Sequence, residues 1–226
     1  MSVINDPELE RLLAGLHATS DEKIAAIDLY LAQKAGGAYP AADEDLKNFR
    51  KDKLVALDRD KAEFCYLLCR ANNARRIIEA GTSYGVSTLY LAAAVRDNVR
   101  ATGGSGVVIG TEYEPNKASA ARRHFDEAGL SDFIDLREGD LRETLKDVDG
   151  PVDFMLVDIW VPMARPALEL VAPRLRPGAF VVCDNTAQHR GAYAEYFAFL
   201  EDPANGFRTM TLPFGGGLEL SVRCKG

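Results

Sequence analysis

The chain has 226 residues, enough for one sizeable domain with an extension. Lys and Arg number 27 against 34 Asp and Glu, a net charge of −7, which argues against a broad footprint for nucleic acid or an anionic membrane. Hydrophobic residues make up 47% and charged residues 27%, the balance of a folded soluble chain, and no apolar run approaches the roughly 20 residues that span a bilayer.

The first 73 residues read as helical. Asp6-Pro7-Glu8 is a helix start, with Asp6 as N-cap and Pro7 in the first turn. Thr19 to Glu22 fits a capping box and predicts a second start there. Gly36-Gly37-Ala38-Tyr39-Pro40 breaks the pattern, and helical stretches follow at about 43–54 and 60–72. Residues 1–13 lack a basic region followed by an apolar one, so no secretory leader is expected. The four cysteines are too few for a disulfide framework; Cys65, Cys69 and Cys183 read as buried thiols, and the cytoplasm is the expected compartment.

From residue 74 short apolar runs alternate with helical stretches. The runs are Arg76–Glu79, Gly106–Glu112, Phe133–Leu136, Val152–Asp158 and Ala179–Asp184. The helices between them are Val86–Val95, Asn116–Ala128, Leu141–Asp147 and Pro162–Arg174, with Gly129 as a C-cap. Such alternation predicts a parallel sheet covered by helices on both faces. Phe207–Leu212 and Leu218–Val222, joined by Pro213-Phe214-Gly215-Gly216-Gly217, predict a closing antiparallel hairpin. The expected fold is α/β: a doubly wound, mostly parallel, seven-stranded Rossmann-like sheet with an antiparallel C-terminal hairpin. Its expected division is a helical extension or lid at 1–57 and a core domain at 58–226.

In open α/β sheets ligands sit beyond the carboxyl ends of the strands, and four of these runs end in an acid: Glu79, Glu112, Asp158 and Asp184. Glu79 leads into Gly81-Thr82-Ser83-Tyr84-Gly85, a turn that lets backbone approach a ligand and opens a helix whose N–H groups face it. The spacing is not the dinucleotide fingerprint, which would need glycine at Ser83. Pyrophosphate would also be repelled by Glu79, whereas an ammonium group would be held by it. The turn therefore favours S-adenosylmethionine over NAD. Glu112 is placed to accept ribose hydroxyls; the competing reading, a solvated carboxylate at a helix start, suits Glu114 better. Asp140 reads equally as an acceptor for the adenine amino group and as the N-cap of the next helix. Asp158, Asp184 and Asn185 offer three hard oxygens of the kind Mg²⁺, Mn²⁺ or Ca²⁺ accepts, or else a hydrogen-bonded acidic cluster with no metal. Trp160 is either a stacking wall for an aromatic substrate or a packing residue.

Taken together, Glu79 to Gly85, Thr111-Glu112-Tyr113-Glu114-Pro115, Val157-Asp158-Ile159-Trp160, Leu175 to Gly178, Asp184-Asn185 and Leu212 to Leu218 resemble the cation-dependent O-methyltransferases, the family of catechol and caffeoyl-CoA O-methyltransferases. The resemblance covers roughly residues 54–226. It implies Asp158, Asp184 and Asn185 as metal ligands and Glu112 as the ribose acid. It also implies Gly81, Tyr84, Gly85 and Ser87 around the methionine portion of the cofactor, and Val55-Ala56-Leu57 passing over the methyl donor. A small catechol-like acceptor and a homodimer are further implications; the N-terminal helices and Tyr39-Pro40 are expected to form a lid or a dimer contact. Family members commonly carry a lysine as general base just after the fourth-strand acid; here that position is Val161, followed by Pro162. His189 is the nearest alternative base in sequence, while His124 reads as surface. A metal-independent methyltransferase and a non-catalytic nucleotide-binding protein are the rival readings.

Overall fold

The computed structural model describes residues 3–35 and 52–225. The expected glycine break at 36–40 and most of the helix expected at 43–54 lie outside the described residues. Residues 52–58, at the end of that stretch, are irregular rather than helical.

Helix α1 runs Pro7–Ala35 without interruption. Asp6 caps it, its Oδ1 accepting the Leu9 N–H at 3.2 Å. The second start expected at Thr19 does not occur. The buried stripe of Leu9, Leu13, Leu16, Ser20 and Ile27 continues at helical spacing through that point. Thr19 donates instead to the Gly15 carbonyl one turn back, at 3.0 Å.

After α2 (Arg59–Ala71) the chain alternates: β1 (Arg76–Ala80), α3 (Val86–Thr102), β2 (Val107–Glu112), α4 (Pro115–Glu127), β3 (Ile134–Glu138), α5 (Leu141–Thr144), β4 (Val152–Val157), α6 (Val161–Val171) and β5 (Leu175–Asp184). Helix α7 (Ala194–Glu201) then precedes β6 (Phe207–Leu212) and β7 (Leu218–Arg223). Gly129 ends α4 as expected: at φ +61° it lets Leu130 donate back to the Phe125 carbonyl at 3.0 Å.

The seven strands stand in the order β3-β2-β1-β4-β5-β7-β6. β1 to β5 are parallel, and β7 pairs antiparallel with both β5 and β6. The expected hairpin is therefore present, with its second strand inserted beside β5. Alternate strand residues feed two cores. Ile77, Val108, Phe154, Leu156 and Val182 face α1, α2, α3 and α4. Ile78, Ile109, Met155, Val157 and Cys183 face α5, α6 and α7. The chain order reverses between β1 and β4, so the crevice at their carboxyl ends is the place this topology reserves for a ligand. The three cysteines expected inside, Cys65, Cys69 and Cys183, are buried free thiols, and Cys224 is exposed. Among the described residues no helix is long and apolar enough to cross a membrane.

Burial alone would raise the Asp6 carboxyl, but hydrogen bonds from the Leu9 N–H and the Arg96 guanidinium outweigh it and hold its pKa below the usual range. A depressed folded-state pKa adds stability above the unfolded value and loses it as pH falls through the folded one. Asp6→Ala should therefore lower the unfolding free energy at neutral pH by about 1 kcal/mol in urea melts. The gap to the parent should close as the pH falls through the lowered folded-state value. A gap that stays constant with pH would contradict this account of the cap.

Candidate active site

β1 delivers Glu79 fully buried into the crevice, where its carboxylate is enclosed by hydroxyls. Ser87 Oγ donates to it at 2.7 Å, Thr82 Oγ1 at 2.9 Å, and Thr88 Oγ1 completes the cage. Burial pushes the Glu79 pKa up and the Glu112 charge adds to that, while the three hydroxyls oppose it. With its acceptors turned to the chain's own hydroxyls, Glu79 braces the turn from beneath. That geometry does not present its carboxylate as an open site for an ammonium group.

The turn glycines also serve the chain itself. A Cβ on Gly81 would stand 2.1 Å from the Asp158 carbonyl oxygen, and one on Gly85 would stand 2.4 Å from the Phe125 ring. Both have positive φ, +100° and +83°. Their smallness therefore seats the turn against β4 and α4, rather than only opening it to a ligand. Ser83, at φ +50°, points its N–H at Glu112 Oε2, 2.7 Å away. Glu112 Oε1 accepts the Glu114 N–H at 2.8 Å. Two backbone donors thus fix the orientation of the Glu112 carboxylate at the end of β2.

A narrow cleft lies above this turn, lined by Leu54 to Leu57, Gly81 to Tyr84, Val86, Ser87 and Asp158. The Leu54–Leu57 segment forms its roof. Ala56 N–H donates to Ser20 Oγ of α1 at 2.8 Å, and the Tyr84 hydroxyl donates to the Asp52 carbonyl at 2.6 Å. Among the described residues the cleft lining contains an acid and hydroxyls but no Lys or Arg, a character that suits a cationic ligand and not a pyrophosphate.

The structure thus gathers Ala56, Gly81, Thr82, Ser83, Tyr84, Ser87 and Asp158 at one cleft, with Gly85 closing the turn, Glu79 beneath it and Glu112 tied to Ser83. Asp140 is outside the lining. Its Oδ1 accepts the Arg142 N–H at 2.9 Å as the cap of α5, and the Arg142 guanidinium beside it pulls its pKa down to about 2. His189 sits in the turn after β5, its carbonyl accepting the Ala192 and Tyr193 N–H groups, and is also outside the lining. Trp160 is 50% exposed at the start of α6.

At the end of β5 the expected metal set meets an unexpected side chain. The Lys61 ammonium donates to Asp184 Oδ1 at 2.7 Å and to Asp58 Oδ2 at 2.8 Å. Asp184 Oδ2 accepts the Asn185 amide at 2.7 Å. Burial would lower the Lys61 pKa, but its two carboxylate partners outweigh that and raise it, so the side chain is charged. Asp158 is pushed up to about 8, by burial first and then by the Asp184 and Glu79 charges. Among the described residues, no group of three or more His, Cys, Asp or Glu side chains is placed to hold a metal ion. Both Asp184 oxygens are engaged and an ammonium is in place, so Asp158, Asp184 and Asn185 as arranged do not fit a divalent cation.

Lys61, Asp58, Thr88 and Ser20 were not among the residues singled out from sequence. The signal for Lys61 was present: it falls in the α2 stripe of Ala62, Cys65, Tyr66 and Cys69, all buried. A lysine on the apolar stripe of a helix needs a buried counter-charge.

Residues 78–186 match the family described as a methyltransferase domain. Over 142 residues, 62% of this chain and 61% of its partner, the sequence is 32% identical to a catechol O-methyltransferase of Mycobacterium tuberculosis. The chain spans about three fifths of the length of the curated relatives it matches first. The crystal structure of cofactor-bound Rv0187 from MTB superposes with a TM-score of 0.69 at 25% identity, covering 88% of this chain and 97% of that one. An O-methyltransferase from Bacillus cereus solved with SAH gives 0.68 at 20% identity, covering 92% and 99%. Over residues 78–186 the chain is thus similar to methyltransferase domains, and catechol and caffeoyl-CoA O-methyltransferases are among its relatives. The resemblance expected from the motifs holds.

Removing the Glu79 carboxylate would strand three buried hydroxyls. Glu79→Ala should cost about 3 kcal/mol or more in chemical unfolding, and Glu79→Gln, which keeps an acceptor, clearly less. Equal losses for the two variants would show that the hydroxyl cage does not depend on that acceptor.

Proposed function

We propose that this protein transfers the methyl group of S-adenosylmethionine to a hydroxyl oxygen of a small molecule. The observation that carries the reading is the cleft at the sheet's switch point, without Lys or Arg among its described lining residues and floored by a braced strand–turn–helix. Relatives named as catechol O-methyltransferases support an O-methyl transfer and make catechol-like compounds the first acceptors to try.

Bound there, the cofactor supplies an electrophilic methyl carbon on a positively charged sulfonium. Glu112, held by the Ser83 and Glu114 N–H groups, accepts the ribose hydroxyls. Asp140 is the candidate acceptor for the adenine amino group; its loop is tied to the same strand end, Gly139 N–H donating to the Glu112 carbonyl at 2.9 Å. Tyr84, Ser87 and the first turn of α3 hold the amino-acid tail. Val55 to Leu57 cover the reacting group and exclude water. Asp158 lines the same cleft. The main contribution of this frame is alignment of sulfur, carbon and oxygen, which can supply up to about 7–11 kcal/mol of barrier reduction. His189 is the candidate to accept the hydroxyl proton, since Val161 cannot.

The reading of Asp158, Asp184 and Asn185 as ligands of Mg²⁺, Mn²⁺ or Ca²⁺ conflicts with the Lys61–Asp184 pair, so no step passes through a metal here. That pair favours the metal-independent alternative.

Isothermal titration with S-adenosylhomocysteine and with NAD tests the cofactor directly. The first should bind and the second should not. Glu112→Ala should weaken the first by about tenfold or more, the equivalent of 1.4 kcal/mol. Binding of NAD in preference to the nucleoside would overturn the proposal.

A further inference from the structure

We propose that the Lys61 ammonium, clasped by Asp184 and Asp58, takes the place of a divalent cation at this site, so that methyl transfer proceeds without a metal. The inference rests on the proposed methyl transfer and names what compensates its acidic rim.

Four features of the structure carry it. Lys61 is only 1% exposed, although lysine is almost never buried without a counter-charge. Its two partners are carboxylates at 2.7 and 2.8 Å, one from the end of β5 and one from the segment that leads into α2. The carboxylate it engages, on Asp184, is itself buried and lies one strand from Asp158. Asp184 spends its other oxygen on the Asn185 amide, which fixes the amide's donor end toward the carboxylate. A metal using the same three side chains would have to displace the ammonium or sit beside it, against its charge. Unlike a metal ion, this cation cannot dissociate: it is carried by α2, whose buried stripe is part of the main core.

The same side chain has a second effect. Asp58 directly follows the Leu54–Leu57 roof of the cleft. By gripping Asp58 and Asp184 together, Lys61 ties that roof to the carboxyl end of β5. Lys61 is thus a positioning residue: it balances charge and holds the roof, without touching the reacting atoms.

The test uses the full chain, with Mn²⁺ as probe. Binding is followed by electron paramagnetic resonance in the presence of S-adenosylhomocysteine, nucleoside binding by calorimetry, and turnover on a catechol with and without EDTA. The parent should bind no Mn²⁺ at the cluster and keep its rate within about twofold in EDTA. Lys61→Met, which keeps the bulk and removes the charge, should gain Mn²⁺ affinity of at least about tenfold. It should also lose turnover, and Lys61→Arg should restore part of it without Mn²⁺. A gain of metal binding is not what loss of a merely structural lysine would produce. Stoichiometric Mn²⁺ in the parent, with turnover abolished by EDTA, would overturn the proposal. If Lys61→Met does not fold, the parent and Lys61→Arg titrations decide alone. Failure of the parent to bind S-adenosylhomocysteine would count against methyl transfer itself, while the Mn²⁺ titration would still decide the question of the cation.

Discussion

A parallel sheet that ends several of its strands in carboxylates has to neutralise them, because charge desolvated at a crevice floor is costly. Here the compensation comes from within the chain. Lys61 crosses from α2 to the end of β5 and pairs with Asp184, and through Asp58 it also holds the segment above the cleft. Removing Lys61 would leave Asp184 as an uncompensated buried charge, the most destabilising way to break such a pair. This one side chain ties α2, β5 and the cleft roof together.

Elsewhere along the rim the same problem is solved with neutral donors. Glu79 is surrounded by hydroxyls from Thr82, Ser87 and Thr88, and Glu112 by the N–H groups of Ser83 and Glu114. Four acids at one edge therefore have distinct environments. Glu79 is inward and structural, Glu112 is oriented by backbone, Asp158 is raised toward neutrality, and Asp184 is ion-paired. The β6–β7 loop closes the far side of the site, Gly216 accepting the Ala187 and Gln188 N–H groups at 3.0 and 2.9 Å, with Phe214 against Phe64 of α2.

Much of this was legible in the residues. The strand–helix alternation, the acidic strand ends and the closing hairpin each rest on local pattern. Three features were not. Thr19 to Glu22 carries the residues of a helix start, but the buried stripe running past it keeps α1 continuous. Ala194–Glu201 lacks a capping signal and forms a helix because Tyr196, Phe197 and Leu200 are buried against the second core. The Lys61–Asp184 contact joins residues 123 apart in sequence, and only the folded chain brings them together. The glycine turn was found correctly, but its physical reason differs in part: Gly81 and Gly85 are small to fit Asp158 and Phe125.

The central claim, a resident ammonium where a metal would otherwise sit, is tested most directly by a crystal structure with S-adenosylhomocysteine grown in Mn²⁺, with diffraction collected at the manganese edge. The account predicts no anomalous density near Asp158, Asp184 and Asn185, and Lys61 Nζ still within hydrogen-bond distance of Asp184. An anomalous peak coordinated by those three side chains, with Lys61 displaced, would contradict it.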